Sequence, residues 1–199
     1  MPFNILRTQI EHVDIYLLDQ ILKGRYLQDD VILDAGCGIG RNLKWFYNNN
    51  YTIFGVDANE KYIEYVKIRY NKIEKNFING NLEKLTYREE KFHHVICNAV
   101  LHFARSETHF FEMLFELIRV LKVNGTLFIR MASIFGIEDK VQEVSKGVYN
   151  LPDKSVRFLL TIPILTKLIK RHNLELVEPI KTLNVQDLRC MTTLMIRKK

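Results

Sequence analysis

Several whole classes of protein are excluded by what this 199-residue sequence lacks. Its three cysteines, Cys37, Cys97 and Cys190, lie far apart and never form a C-x-x-C pair, so neither a disulfide scaffold nor a zinc site is suggested. The longest apolar stretch, Phe158 to Leu165, falls well short of the ~20 residues a membrane span needs. No leader pattern opens the chain, since Pro2 to Asp14 is polar and amphipathic; the expectation is a cytoplasmic protein with no membrane partner. No repeat or low-complexity tract interrupts it. Acidic residues are the minority charge, 23 against 29 Lys and Arg, which leaves a net charge of +6. The basic residues are spread, however, with only modest clusters at Lys167–Arg171 and Arg197–Lys199, the pattern of solvated faces and tail ends. Nucleic acid is therefore the less favoured partner.

What is present is the composition of an ordinary globular chain, 47% hydrophobic, long enough for one α/β domain over residues 1–199. Apolar positions Ile10, Val13, Leu17, Leu18 and Ile21 predict an N-terminal helix over 8–23, inside a helical segment spanning 1–27 and ended by Gly24. Strands and helices then alternate. Strands are predicted at 31–34, 51–56, 76–78, 92–97 and 126–131, and helices at 42–47, 60–72, 107–121 and 162–171. Two last strands, 174–179 and 191–197, have no helix between them and should pair antiparallel. Such alternation implies a mainly parallel sheet with helices on both faces. Residues 133–160 have no clear period and are expected to form a lid over the ligand edge. His93 and His94 fall at the opposite end of the sheet and are expected on the surface.

The most informative run is Val31-Ile-Leu-Asp34-Ala-Gly36-Cys37-Gly38-Ile-Gly40-Arg41-Asn42. Glycine at every second position lets the chain turn sharply and lets a ligand approach main-chain amides. Dinucleotide folds want G-x-G-x-x-G/A with a small third residue, but here Arg41 occupies that place. No Walker lysine follows either. An acid beside the loop, Asp34, suits a ligand with positive charge, such as an amino-acid ammonium. Asp57 closes the next strand in Phe54-Gly-Val-Asp57-Ala58, where a carboxylate can take both hydroxyls of a ribose.

Leu33-Asp34-Ala-Gly36-Cys-Gly38-Ile-Gly40 resembles motif I of class I S-adenosylmethionine-dependent methyltransferases, and further matches follow in the family's order. Within that family the chain is most similar to compact bacterial enzymes of the tellurite-resistance and ubiquinone-biosynthesis type. The resemblance implies a Rossmann-like seven-stranded sheet of order 3-2-1-4-5-7-6 with strand 7 antiparallel. It also implies S-adenosylmethionine as cofactor, bound by Asp34, Gly36, Cys37, Gly38, Asp57, Ala58, Asn81, Leu82, Asn98 and Ala99. Relatives often carry Asp where Asn81 stands; an Asn still accepts through its amide oxygen. The segment Asn98-Ala99-Val100-Leu101-His102-Phe103 lacks the two prolines of base-modifying relatives, which counts against a flipped base.

His102 in that segment is a candidate general base, or equally a packing histidine. Arg130, Tyr149 and Arg189 are candidate substrate residues; two arginines at a pocket suit an anionic group, and ion pairing with nearby acids is the plainer alternative. The sequence thus points to methyl transfer onto a small-molecule acceptor, with an RNA methyltransferase or a non-catalytic S-adenosylmethionine-binding protein as alternatives. No metal is called for, and monomer and homodimer are both open.

Overall fold

The computed structural model describes residues 3–171 and 173–199. In chain order the first half contains α1 (Phe3–Ile10), α2 (Ile15–Leu22), β1 (Val31–Ala35), α3 (Lys44–Asn48), β2 (Thr52–Asp57), α4 (Glu60–Arg69), β3 (Phe77–Asn79) and β4 (Phe92–Asn98). The second half adds α5 (Glu107–Val120), β5 (Leu121–Ser133), β6 (Gln142–Ser145), β7 (Val148–Asn150), β8 (Val156–Phe158) and α6 (Ile162–Arg171). Strands β9 (Leu174–Leu176), β10 (Lys181–Val185) and β11 (Arg189–Lys198) end the chain.

The main sheet runs β3-β2-β1-β4-β5-β11-β10, with β9 also paired to β11. Strands β1 to β5 are parallel neighbours, and β11 is antiparallel to β5, β9 and β10. This is the expected Rossmann-like order with one difference. The edge strand is split in two where Pro179, which has no N–H to give a ladder, interrupts it. Alternation along β1 explains the two-sided core. Leu33 and Ala35 pack with Phe110, Leu114, Leu117, Ile164 and Leu168 of α5 and α6. Ile32 faces the other way, onto Leu17, Phe46, Ile63 and Val66 of α2, α3 and α4.

Three expectations need correction. The N-terminal helix is broken into α1 and α2, because His12 turns into the left-handed region and Asp14 caps α2 by accepting from the amides of Tyr16 and Leu17. Residues 133–160 are not irregular: β6, β7 and β8 form a small antiparallel sheet, with Leu159 N–H on the Gly147 carbonyl at 3.0 Å. His94 is buried rather than on the surface, between Asp30 Oδ2 (2.8 Å) and Thr126 Oγ1 (2.7 Å). Its burial lowers its pKa.

Helix α2 is pinned to the C-terminal hairpin through Glu178, which accepts from Gln20, Lys23 and Arg25 and pairs with Lys181. Burial pushes that carboxyl up, but its donors outweigh this and hold it near about 2. The N-terminal helices are thereby fixed against the sheet, on the side of the glycine loop: Asp14 N–H donates to Asn42 Oδ1 at 3.1 Å, and Arg41 donates to the His12 carbonyl at 2.9 Å.

Candidate active site

The glycine loop follows the carboxyl end of β1, the place where ligands bind in open parallel sheets. Its amides are occupied. Gly36 and Cys37 N–H both donate to the Val56 carbonyl, at 2.8 and 3.0 Å, and Gly38 N–H donates to Asp57 Oδ2 at 2.8 Å. The glycines serve close packing instead. A Cβ on Gly36 would lie 2.3 Å from a Val100 methyl, so glycine there lets the segment after β4 close onto the loop. At Gly40, with φ +72°, a Cβ would lie 2.6 Å from Val66 and 2.7 Å from Tyr70, whose hydroxyl donates to the Gly40 carbonyl. Gly40 therefore seats α4 against the loop, the packing role that a third small residue plays in dinucleotide folds.

A cleft of about 510 Å³ opens in front of this loop. Gly36, Gly38, Asp57, Ala58, Asn81, Leu82, Asn98 and Ala99 all line it, on four different strand ends. Asp57 is half-buried and accepts from Gly38 and Asn59 N–H, one on each oxygen. A carboxylate has about four acceptor positions, so acceptor capacity is left for a diol. Asn98 is buried with neither side-chain atom hydrogen-bonded. Behind the loop, Asp34 is buried with both carboxylate oxygens unpartnered. Burial pushes its pKa up to about 7, and Asp57 adds to the shift against the opposing pull of Arg41. Glu83 and His109, paired to each other, close the far wall.

A second pocket of about 320 Å³ adjoins the first, and the two share Ala99 and Phe103. Ala99 has φ +63° and donates its N–H to the Arg130 carbonyl at 2.7 Å, a strained residue at the junction. The second pocket is lined by His102, Arg130, Asp153, Ser155, Arg157 and Arg189 among apolar walls. His102 Nδ1 accepts from Ala132 N–H at 3.2 Å. Burial first, and then Arg157, Arg130 and Arg189, lower the His102 pKa to about 4. The imidazole is therefore neutral at physiological pH, with its proton on Nε2. A larger depression, about 780 Å³, runs along α5, but it is walled by Glu83, Glu107, Glu112 and Glu116 and holds none of the glycine-loop residues.

Comparison with known proteins agrees with this geometry. Residues 33–129 match the methyltransferase domain family. The matched stretch is just under half of the chain and takes in the glycine loop and the ends of β1, β2, β3 and β4. An uncharacterized protein of Methanocaldococcus jannaschii is 30% identical over 129 residues, 64% of this chain and 47% of that protein, so the chain spans about half the length of that curated relative. An S-adenosylmethionine-dependent methyltransferase of Methanosarcina mazei matches in structure with TM-score 0.74 and 18% identity, covering 90% of this chain and 96% of the other. The 1,6-didemethyltoxoflavin-N1-methyltransferase of Burkholderia thailandensis, solved with its substrate and S-adenosylhomocysteine, matches with TM-score 0.71 and 18% identity over 98% of this chain and 81% of the other. At these identities the structural likeness is one of fold.

Of the site residues predicted from the sequence, eight of the ten for the cofactor line one cleft, and His102, Arg130 and Arg189 meet in the other pocket. Cys37 lines neither, because its thiol is buried and turned toward Gly55 and the core beneath the loop. Asp34 is likewise behind the loop and not on the cleft surface. Tyr149 is a correction. It packs on Ala132, Leu151, Leu159 and Met191, while Arg157, its partner across β7 and β8, reaches the pocket. Sequence reasoning missed Arg157, Asp153, Asp14 and the Glu83–His109 pair. The alternation Val156-Arg157-Phe158, with Phe158 buried, was the available signal for the first.

Among the described residues no helix is long and apolar enough to cross a membrane.

Proposed function

We propose that this chain transfers a methyl group from S-adenosylmethionine to a small-molecule acceptor. The observation that carries the reading is the pair of adjoining pockets that share Ala99 and Phe103, one walled by the family's motif residues and the other by a separate polar set. In this reading Asp57 takes the ribose hydroxyls, and Asn81 with Leu82 faces the adenine. Ala58 and the loop at Gly36 and Gly38 wall the nucleoside. Asn98 and Ala99 hold the amino-acid end. The unpartnered amide of Asn98, which lines the cleft, fits a group with ammonium and carboxylate ends, since buried polar atoms left without partners are costly.

Bound in that cleft, S-adenosylmethionine would supply a sulfonium methyl to the acceptor's lone pair, the C–S pair remaining on sulfur and the acceptor's proton going to water. The chain's contribution is to hold the acceptor in line at the Ala99–Phe103 wall, and positioning of this kind is worth ~7–11 kcal/mol. His102 acts in this account as an N–H donor that orients the acceptor through Nε2, because its other nitrogen is engaged by Ala132. The β6–β7–β8 sheet serves as the lid that shapes the acceptor pocket, to which it contributes Leu151, Asp153, Ser155 and Arg157.

Transfer of labelled methyl groups into fractionated small-molecule and RNA extracts tests the reading. Label in small molecules supports it. Label in RNA alone, or cofactor binding with no label anywhere, would overturn it in favour of an RNA enzyme or a binding protein.

A further inference from the structure

The second pocket has an uneven charge. Three arginines, Arg130, Arg157 and Arg189, face it. Two of them meet carboxylates: Arg130 Nη1 lies 3.5 Å from Asp14 Oδ2, and Arg189 Nη1 lies 3.7 Å from Asp153 Oδ2. Arg130 is also stacked over Tyr16 at 5.2 Å, and its Nε is buried without a partner. Asp153 is fixed in turn by the amide and hydroxyl of Ser155. Arg157 differs. It donates to the carbonyl of Val156 at 2.7 Å and lies 4.8 Å over the Phe103 ring, and among the described residues no carboxylate is within salt-bridge distance of it. His102 brings no charge. Three cations against two anions leave one positive charge in a pocket whose other walls include Ala132, Leu151, Val185 and Met191.

We propose that the acceptor carries one carboxylate, clasped between Arg157 of the lid and Arg189 of β11, and presents a different atom to the methyl group at the Ala99–Phe103 wall. The inference rests on the methyltransferase reading above. A monoanion neutralises the pocket, and a planar carboxylate matches the fork of a guanidinium. A phosphate dianion would leave a negative excess among apolar walls, where an unpaired charge is costly. The neutral His102 Nε2–H adds a donor suited to an oxyanion. Phe103, exposed and shared by both pockets, offers a flat surface beside Arg157 for the body of the acceptor. The carboxylate anchors and is not itself methylated, because an ester product would leave the Arg157 charge unmatched.

Labelled methyl transfer into a small-molecule extract, followed by anion exchange at neutral pH, tests this. The expected product elutes as a monoanion and keeps its label in alkali. With the labelled fraction's parent as substrate, Arg157→Gln is expected to raise the half-saturating concentration at least tenfold with a smaller change in maximal rate. Arg157→Lys restores the charge but not the fork and falls between. The melting shift given by S-adenosylhomocysteine should be the same in all three proteins, which separates loss of the acceptor site from loss of fold. Label that is unretained, that elutes as a dianion or that is released by alkali overturns the inference while leaving the methyltransferase reading intact. An Arg157→Gln enzyme with unchanged saturation also overturns it. Label in no fraction sinks the activity itself and this inference with it.

Discussion

Asp34 carries a buried carboxyl whose ionisation costs the fold a measurable amount of stability. Its carboxyl is buried, unpartnered in the ligand-free protein, and has its pKa pushed from 3.8 to about 7. A folded-state pKa above the unfolded value means that the folded chain keeps a proton the unfolded chain has lost. Stability therefore falls as pH rises from about 4 to about 7 and is level above that. A shift of about three units is worth ~4 kcal/mol at pH 8, and water entering from the adjoining cleft reduces this to roughly 2–4 kcal/mol. Asp34→Asn keeps shape and polarity but cannot ionise. The variant should exceed the wild type by that amount at pH 8 and by roughly 1.5 kcal/mol at pH 5. Urea denaturation of the ligand-free proteins at pH 5, 6, 7 and 8 reads the difference directly. A variant less stable than wild type at pH 8, or a difference that does not change with pH, would refute the argument.

Three further outcomes follow from the structure. His102, with its pKa lowered to about 4, is already neutral throughout pH 5.5–8, so wild type and His102→Gln should give kcat/KM profiles of one shape; a step near pH 6–7 present only in the wild type would restore the general base. In folding, that lowered pKa means the folded chain holds fewer protons than the unfolded one between pH 4 and 6.5, so wild-type stability is lost as pH falls through this window and His102→Gln should lose less. Gly40→Ala combines a left-handed backbone with a Cβ 2.6 Å from Val66, and should destabilise by about 2–3 kcal/mol in thermal or urea unfolding, with a change under 0.5 kcal/mol refuting the packing role.

The parts of the molecule legible in the sequence were those set by local rules. Alternating apolar residues and the glycine loop located β1 and β2, and Asp57 at the end of β2 fell where its partner Gly38 needs it. The strand order came with the family resemblance. What escaped was decided by distant contacts. The break at His12 is held by Arg41 and by Asn42, the latter bound to Asp14, from a loop nearly thirty positions away. Strands β6, β7 and β8 are three or four residues long and largely exposed, too short for a period to register, so the sequence points to Tyr149 where Arg157 is the residue that reaches the pocket. The tautomer of His102 depends on Ala132 N–H, free only because β4 ends opposite Arg130. The amides of Gly36, Cys37 and Gly38 are held by Val56 and Asp57, pairings from the next strand that glycine spacing alone does not announce.

The central claim is that the cleft in front of the glycine loop binds S-adenosylmethionine through Asp57. Calorimetry of S-adenosylhomocysteine against wild type and Asp57→Ala tests it most directly, with NAD as the control ligand. The account predicts one site per chain, at least a hundredfold loss on removing the carboxylate, as expected for two hydrogen bonds to a charged acceptor at ~1.5–3 kcal/mol each, and no heat from NAD. Equal affinity in the two proteins, or binding of NAD in preference, would contradict it.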